Sequence, residues 1–168
     1  YGTYKGTCDL LEMGCIQKMP RFVAAEVFGS MEKTLAEGAR DPLPVPSEWS
    51  VSFSIANGLC TWQGLEAVRN SNGYARSSLD EETMAMQLQL ASTEGIYAEA
   101  SSVTSLVALE KLAREGKIGP EQTAVAVLTS TGLKDPAATK KLLPPVPQIQ
   151  PVMDQLRTAL RDVYGLSI

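Results

Sequence analysis

The sequence predicts an α/β fold of three layers, with a mostly parallel sheet covered by helices on both faces. Short segments that favour strands lie at residues 22–28, 51–55, 73–77 and 123–128, and longer segments between them carry apolar residues at helical spacing. The first short segment is apolar except for Glu26, which is typical of a strand buried on both faces of a parallel sheet. The alternation of strands and helices along most of the chain therefore indicates the α/β class.

The predicted helices have apolar residues three and four positions apart, which places those residues on one helix face. They are predicted at residues 3–16, 30–38, 61–70, 80–94, 101–116 and 152–163. We expect Asp80 to cap the long helix at residues 80–94, because aspartate is a favoured residue at a helix start. Three prolines within residues 39–48 predict an extended connection there, since each proline removes a backbone donor.

A break in regularity divides the chain near its end. Residues 142–147 read Leu-Leu-Pro-Pro-Val-Pro, which neither a helix nor a central strand accommodates. We therefore separate residues 1–143, which contain all the predicted strands, from residues 144–168. The second part is expected to be an extension whose helix packs back on the first.

Charge and composition exclude several kinds of function. A formal net charge of −4 gives no electrostatic reason to bind nucleic acid or an anionic membrane, and no long apolar run predicts a membrane span. The chain has no histidine, and its 3 cysteines include no CxxC pair, so Ser-His catalysis and a zinc site are excluded. We therefore expect a cytoplasmic protein without nucleic-acid, membrane or metal partners.

The strongest candidate ligand site is at residues 127–136, which read Val-Leu-Thr-Ser-Thr-Gly-Leu-Lys-Asp-Pro. The predicted strand at residues 123–128 runs into three hydroxyl residues, beginning with Thr129, and then a glycine. Ligands of open α/β sheets bind beyond the carboxyl ends of the strands, so these hydroxyls lie where a ligand would. The structural alternative is that Asp135 caps a helix with Pro136 in its first turn. The residues alone leave both interpretations open.

The same segment resembles the Thr-Gly-x-Gly-Leu-Lys-Asp-Pro segment of threonine synthases. Further similarities to this family occur in the same order along the chain, at residues 2–6, 19–21, 54–57, 62–67, 78–82 and 93–99. They include Thr-Glu-Gly-Ile followed by Glu99, which is similar to Thr-Glu-Gly-Ile-Phe-Val-Glu in the family. The likeness covers residues 2–140. It implies that the chain is the carboxy-terminal part of a fold-type II pyridoxal-phosphate enzyme, with residues 1–143 belonging to its catalytic domain.

The resemblance also implies where pyridoxal phosphate and substrate would bind. In threonine synthases a threonine at a strand end hydrogen-bonds the pyridine nitrogen of the cofactor, and Thr129 matches it. Glu99 would lie near the face of the ring, while Ser54, Asn57 and Ser102 are candidates for the substrate side. For Ser102, simple capping of the helix is the alternative.

The resemblance further implies a small amino-acid substrate, O-phosphohomoserine, which such a lyase converts to threonine and phosphate. It implies a homo-oligomer for the full-length protein. Within the 168 residues we predict no catalytic residue and no metal ligand. The alternatives that remain are a serine or threonine deaminase of the same fold type, and a non-catalytic folding or interaction unit.

Two parts that such an enzyme needs are not recognisable in this sequence. They are the lysine that holds the cofactor as a Schiff base and the glycine-rich loop that binds its phosphate. Since the chain opens at Tyr1 and enters a predicted helix almost at once, we expect it to be part of a longer polypeptide. Alone, the 168 residues are expected neither to bind pyridoxal phosphate nor to be active.

Overall fold

The computed structural model describes residues 1–167, and its contacts divide the chain into two units, Tyr1–Pro136 and the residues from 137 onward. The first unit contains α1 (Gly2–Glu12), β1 (Val23–Glu26), α2 (Ser30–Ala36), α3 (Trp62–Asn70), β2 (Tyr74–Ser77), α4 (Asp80–Glu94) and α5 (Ala100–Arg114). They are followed by α6 (Pro136–Lys140) and α7 (Met153–Tyr164). Each predicted helical segment contains a helix, and α6 begins at the proline that the structural interpretation of residues 127–136 places in a first turn.

The two strands pair in parallel, in register from Val23 opposite Tyr74 onward. At the entrance to the sheet, the N–H of Tyr74 donates to the carbonyl oxygen of Phe22 at 3.1 Å. Gly73 permits this approach, because a Cβ at that position would lie 1.9 Å from the same oxygen. The α/β class with parallel pairing is thereby confirmed. The predicted three-layer arrangement is not observed, since residues 1–167 form a sheet of only 2 strands.

Two apolar clusters form the core of the first unit. Helices α2, α3 and α5 pack against the strands, and one cluster joins α2 and α3 to β2 through Met31, Leu65, Val68 and Ala75. The other cluster joins α4 to the start of α5 through Leu90, Ala98 and Val103, with Leu128 packed against it. The second cluster therefore brings the start of α5 next to the residue that precedes Thr129.

The predicted strand at residues 51–55 is wrong. The chain forms a turn that continues into a short 3-10 helix, Phe53–Ile55. Ser50 Oγ accepts a hydrogen bond from the N–H of Ser52 at 3.0 Å, and the Asp80 carboxylate accepts one from the N–H between them at 3.1 Å. These bonds satisfy backbone groups that a strand would pair with a neighbouring strand.

The prediction of a buried strand at residues 123–128 is also wrong. These residues join no ladder within the described part of the chain, and Val125 and Val127 are 82% and 64% exposed. Strand-forming side chains favour extended backbone, but a ladder forms only where a neighbour offers its own N–H and C=O groups. The chain then pairs with the segment just before α5 through an isolated antiparallel bridge between Ala98 and Thr131.

Asp80 does not cap α4 as predicted. The residue before the helix is Leu79, whose N–H donates to the carboxylate of Glu82 at 2.8 Å. Asp80 is the first helical residue, and its carboxylate instead accepts a hydrogen bond from Ser50 Oγ at 2.6 Å. Helix α4 therefore anchors the loop at residues 50–57 through Asp80.

The helices of residues 1–167 are all too short or too polar to cross a membrane. In the same residues, no group of three or more cysteine, aspartate or glutamate side chains is arranged to hold a metal ion.

Candidate functional site

The start of α5 carries two of the predicted site residues. Glu99 is the residue that precedes the helix, and Ser102 lies in its first turn; both are 3% exposed. The helix starts here because the N–H groups of Ser102 and Val103 donate to the carbonyl of Glu99 at 2.9 and 3.1 Å. Two polar side chains are thus buried at one end of a helix, and each needs a hydrogen-bond partner.

Both carboxylate oxygens of Glu99 have partners from other parts of the chain. Ser54 Oγ donates to Oε1 at 3.2 Å, and Lys134 Nζ lies 3.3 Å from Oε2. Ser54 Oγ is also 2.6 Å from Ser101 Oγ. Glu99 therefore links the loop at residues 50–57, the start of α5 and the turn after Thr129, and its pairing offsets the cost of burying a charge.

Ser102 is bonded to the segment that carries Thr129. Its Oγ lies 3.0 Å from Thr129 Oγ1 and accepts a hydrogen bond from the N–H of Ser130 at 3.0 Å. Thr129 itself is exposed, whereas Ser102 lies behind it in the protein. Thr129 is thus an exposed residue whose hydroxyl contacts the buried hydroxyl of Ser102.

Backbone hydrogen bonds fix the turn after Thr129 against the start of α5. The N–H of Glu99 donates to the carbonyl of Ser130 at 3.0 Å, and the N–H of Gly132 donates to the carbonyl of Tyr97 at 2.9 Å. Gly132 is buried against the Tyr97 ring, and a Cβ at Gly132 would lie 2.5 Å from its Cζ atom. A side chain at this point of the turn would therefore require the Tyr97 ring or the turn to shift.

The structure brings together four of the five predicted site residues and does not join the fifth to them. Asn57 is exposed, and its side chain makes no hydrogen bond with any other residue in the described part of the chain. Two further residues, Ser101 and Lys134, which were not among the predicted site residues, complete the group. We call this group the α5 cluster, and its members are Ser54, Glu99, Ser101, Ser102, Thr129 and Lys134.

The sequence contained a signal for only one of the two added residues. Lys134 lies five positions after Thr129, inside the segment 127–136 that is predicted as a candidate ligand site. Ser101 has no comparable signal, because its contact with Ser54 joins residues 47 positions apart.

A second group of polar side chains lies where the two strands end. The Glu26 carboxylate accepts hydrogen bonds from the N–H groups of Met31 and Glu32, both at 2.9 Å, and so caps α2. Burial raises the pKa of Glu26, and the two N–H groups offset part of this effect. Glu32 in turn accepts hydrogen bonds from the N–H and hydroxyl of Ser77, at 2.8 and 2.7 Å. These bonds tie α2 to the sheet, which is a structural role.

Comparison with known proteins matches residues 2–130 to a family model described as pyridoxal-phosphate dependent enzyme. The threonine synthase of Methanocaldococcus jannaschii is 29% identical over 95% of this chain and 40% of its own length. Those of Methanosarcina acetivorans and Mycobacterium tuberculosis are 31% and 30% identical, over 94% and 89% of this chain and 40% and 41% of their own lengths. The chain therefore spans about two fifths of the length of these curated relatives.

Proposed function

The chain belongs to the pyridoxal-phosphate dependent enzyme family, and from this premise we propose that it forms the carboxy-terminal part of a lyase similar to threonine synthase. The proposed reaction converts O-phosphohomoserine to threonine and phosphate. Residues 1–143 would complete the catalytic domain and its three-layer sheet, and residues 144–168 would form an extension. The full-length protein is proposed to be a cytoplasmic homo-oligomer.

The proposal is carried by the position of Thr129. Thr129 is exposed in the segment that resembles the cofactor-binding segment of threonine synthases, and its hydroxyl lies within hydrogen-bond distance of Ser102. A hydroxyl of this kind fits one edge of pyridoxal phosphate, where the pyridine nitrogen accepts a hydrogen bond. When bound, the cofactor supplies an electron sink for carbanions, and a hydroxyl partner leaves its ring nitrogen largely unprotonated.

Glu99 fits the cofactor site less directly than Thr129. Its side chain is 3% exposed, and its two oxygens already contact Ser54 and Lys134. We therefore propose that it acts through position and charge beside the ring, holding the Ser54 loop against the start of α5. Ser54 and Asn57 remain proposed contacts for the substrate, since both are exposed in this loop.

The lysine that carries the cofactor is proposed to lie in polypeptide outside these residues. Lys134 pairs with Glu99, and Lys111 bonds to Glu82 at 2.7 Å and to the carbonyl of Ser77 at 2.9 Å. The remaining lysines lie at the surface of helices or turns, where a solvated charge is the ordinary explanation. The glycine-rich phosphate loop is proposed to come from the same outside part.

Product analysis of the intact protein that contains these residues tests the proposal. The protein would be incubated with pyridoxal phosphate and, in separate reactions, with O-phosphohomoserine, threonine and serine. Formation of threonine and phosphate is the expected result. Release of a 2-oxo acid from threonine or serine would instead identify a deaminase, and failure to bind the cofactor at all would indicate a non-catalytic unit.

A spectrum of the 168-residue chain tests the proposed absence of the cofactor lysine. Without that lysine, added pyridoxal phosphate is expected to give no stable visible band beyond that of a control protein. A band that disappears when one lysine of this chain is replaced would overturn this part of the proposal.

A further inference from the structure

The hydroxyl proton of Ser102 has one acceptor within the described residues. Ser102 Oγ already accepts the N–H of Ser130 at 3.0 Å, and its other neighbour is Thr129 Oγ1, also at 3.0 Å. The side chain is 3% exposed, so water does not offer an alternative acceptor. A buried hydroxyl proton without an acceptor is costly, which favours donation from Ser102 to Thr129.

If Ser102 donates to Thr129, the hydroxyl proton of Thr129 is not used in the hydrogen bond between them. If Thr129 donated to Ser102 instead, the buried Ser102 proton would have no acceptor in the described part of the chain. With Ser102 as the donor, Thr129 Oγ1 is the acceptor, and the O–H of this exposed residue is left to donate to another group. A hydroxyl that accepts one hydrogen bond becomes a better donor in the next, because bonds in a chain polarise one another.

We propose that Ser102 is a positioning residue that orders a chain of hydrogen bonds. In this chain the N–H of Ser130 donates to Ser102, the O–H of Ser102 donates to Thr129, and the O–H of Thr129 donates to the pyridine nitrogen. This inference rests on the proposed function and gives Ser102 a role on the cofactor side. It also explains why the first turn of α5 buries a serine whose oxygen does not cap the helix.

The test uses the intact protein loaded with pyridoxal phosphate labelled with ¹⁵N at the ring nitrogen. The variants are Ser102→Ala and, as a matched control, Ser105→Ala, whose hydroxyl only donates to the carbonyl of Ser102 in the same helix, at 2.7 Å. The ¹⁵N chemical shift reports directly whether the ring nitrogen is protonated, hydrogen-bonded or free. Thermal unfolding of both variants separates a loss of fold from a local effect.

We expect the ¹⁵N shift of an unprotonated, hydrogen-bonded nitrogen in the wild type and in Ser105→Ala. In Ser102→Ala the shift moves toward that of a nitrogen without a donor, and the cofactor dissociates about fivefold more readily, as the loss of one hydrogen bond gives. A Ser102→Thr variant, which keeps the hydroxyl, is expected to recover part of the wild-type shift.

Each contrary outcome has its own meaning. A protonated ring nitrogen in the wild type, or an unchanged shift in Ser102→Ala, would overturn the ordered chain while leaving the proposed function intact. An intact wild-type protein that does not bind the cofactor would overturn the proposed function and this inference together.

Discussion

The Nζ atom of Lys134 lies 3.3 Å from Oε2 of Glu99, a carboxylate that is 3% exposed, although the lysine side chain is 53% exposed. The pair joins the start of α5 to the turn that follows Thr129. Because one partner is buried and the other reaches solvent, this contact differs from the exposed ion pairs of the protein, such as that of Arg114 with Glu110. It stabilises the geometry of the α5 cluster by neutralising a charge that water does not reach.

Replacement of Lys134 by methionine is expected to lower the free energy of unfolding by about 2 kcal/mol, between the values for exposed and buried ion pairs. The reason is that the buried carboxyl group of Glu99 loses its cationic partner. Urea unfolding of the intact protein measures the change. Lys134→Arg should retain most of the stability, and Lys140→Met, at an exposed lysine, is the control. Equal effects of Lys134→Met and Lys140→Met would contradict a stabilising role for the pair.

Replacement of Gly132 by alanine is expected to destabilise the protein by about 1–3 kcal/mol, the usual cost of inserting a methyl group into a packed site. The new Cβ would lie 2.5 Å from the Tyr97 ring, so either the ring or the turn must shift. Thermal unfolding and the near-ultraviolet circular dichroism of the tyrosine measure this. Gly119→Ala is the control, because nothing lies within 4 Å of a Cβ at that position. A Tm for Gly132→Ala equal to that of Gly119→Ala would show that the turn accommodates the methyl group without loss of stability.

The sequence predicts the structure correctly where the residues that form an element are also the residues that show its pattern. Residues 22–28 are predicted as a strand and contain β1. Thr129 and Ser102 are both predicted site residues, and their hydroxyls are in contact. The sequence was insufficient where a partner from far along the chain decides. Asp80 bonds to Ser50 across 30 positions and converts a predicted strand into a turn, which no local pattern shows. Residues 123–128 have strand-forming composition, but composition does not supply the neighbour that a ladder needs.

Stability is expected to depend on pH through Glu26, whose pKa is raised above its ordinary value of 4.5 by burial. The folded protein therefore binds this proton more tightly than the unfolded chain. The stability it contributes is fully present below pH 4.5 and is lost as pH rises through the folded pKa. The measurement is the free energy of urea unfolding of wild type minus that of Glu26→Gln, followed from about pH 4 to about pH 8.

This difference should fall as pH rises through the folded pKa of Glu26. Glu115 provides the opposite case, because the Arg76 guanidinium lowers its pKa, so its contribution is lost as pH falls below 4.5. The two effects occupy different pH ranges, so the same titration extended down to about pH 3 separates them. A difference for Glu26→Gln that rises with pH would contradict the burial of an unfavourable charge at this position.

Replacement of Asp80 by alanine is expected to release the loop at residues 50–57 from α4. The carboxylate accepts hydrogen bonds from Ser50 Oγ at 2.6 Å and from the N–H of Val51 at 3.1 Å, and bonds to a charged group contribute about 2 kcal/mol each. Hydrogen exchange of the Val51 amide should accelerate, because its acceptor is lost. The control is Glu81→Ala, at the next position of the same helix turn, where the side chain is exposed.

The same variant distinguishes an anchor for the Ser54 loop from a simple contribution to α4. If the loop carries substrate contacts, the intact Asp80→Ala enzyme should show a raised KM for O-phosphohomoserine with a smaller change in kcat, since the loop samples its binding geometry less often. A residue that only stabilised the helix would lower the Tm and leave the KM of the folded enzyme unchanged. Protection of the Val51 amide equal to that in Glu81→Ala would show that Asp80 does not hold the loop, and would leave the contacts of Ser54 with Glu99 and Ser101 as what positions it.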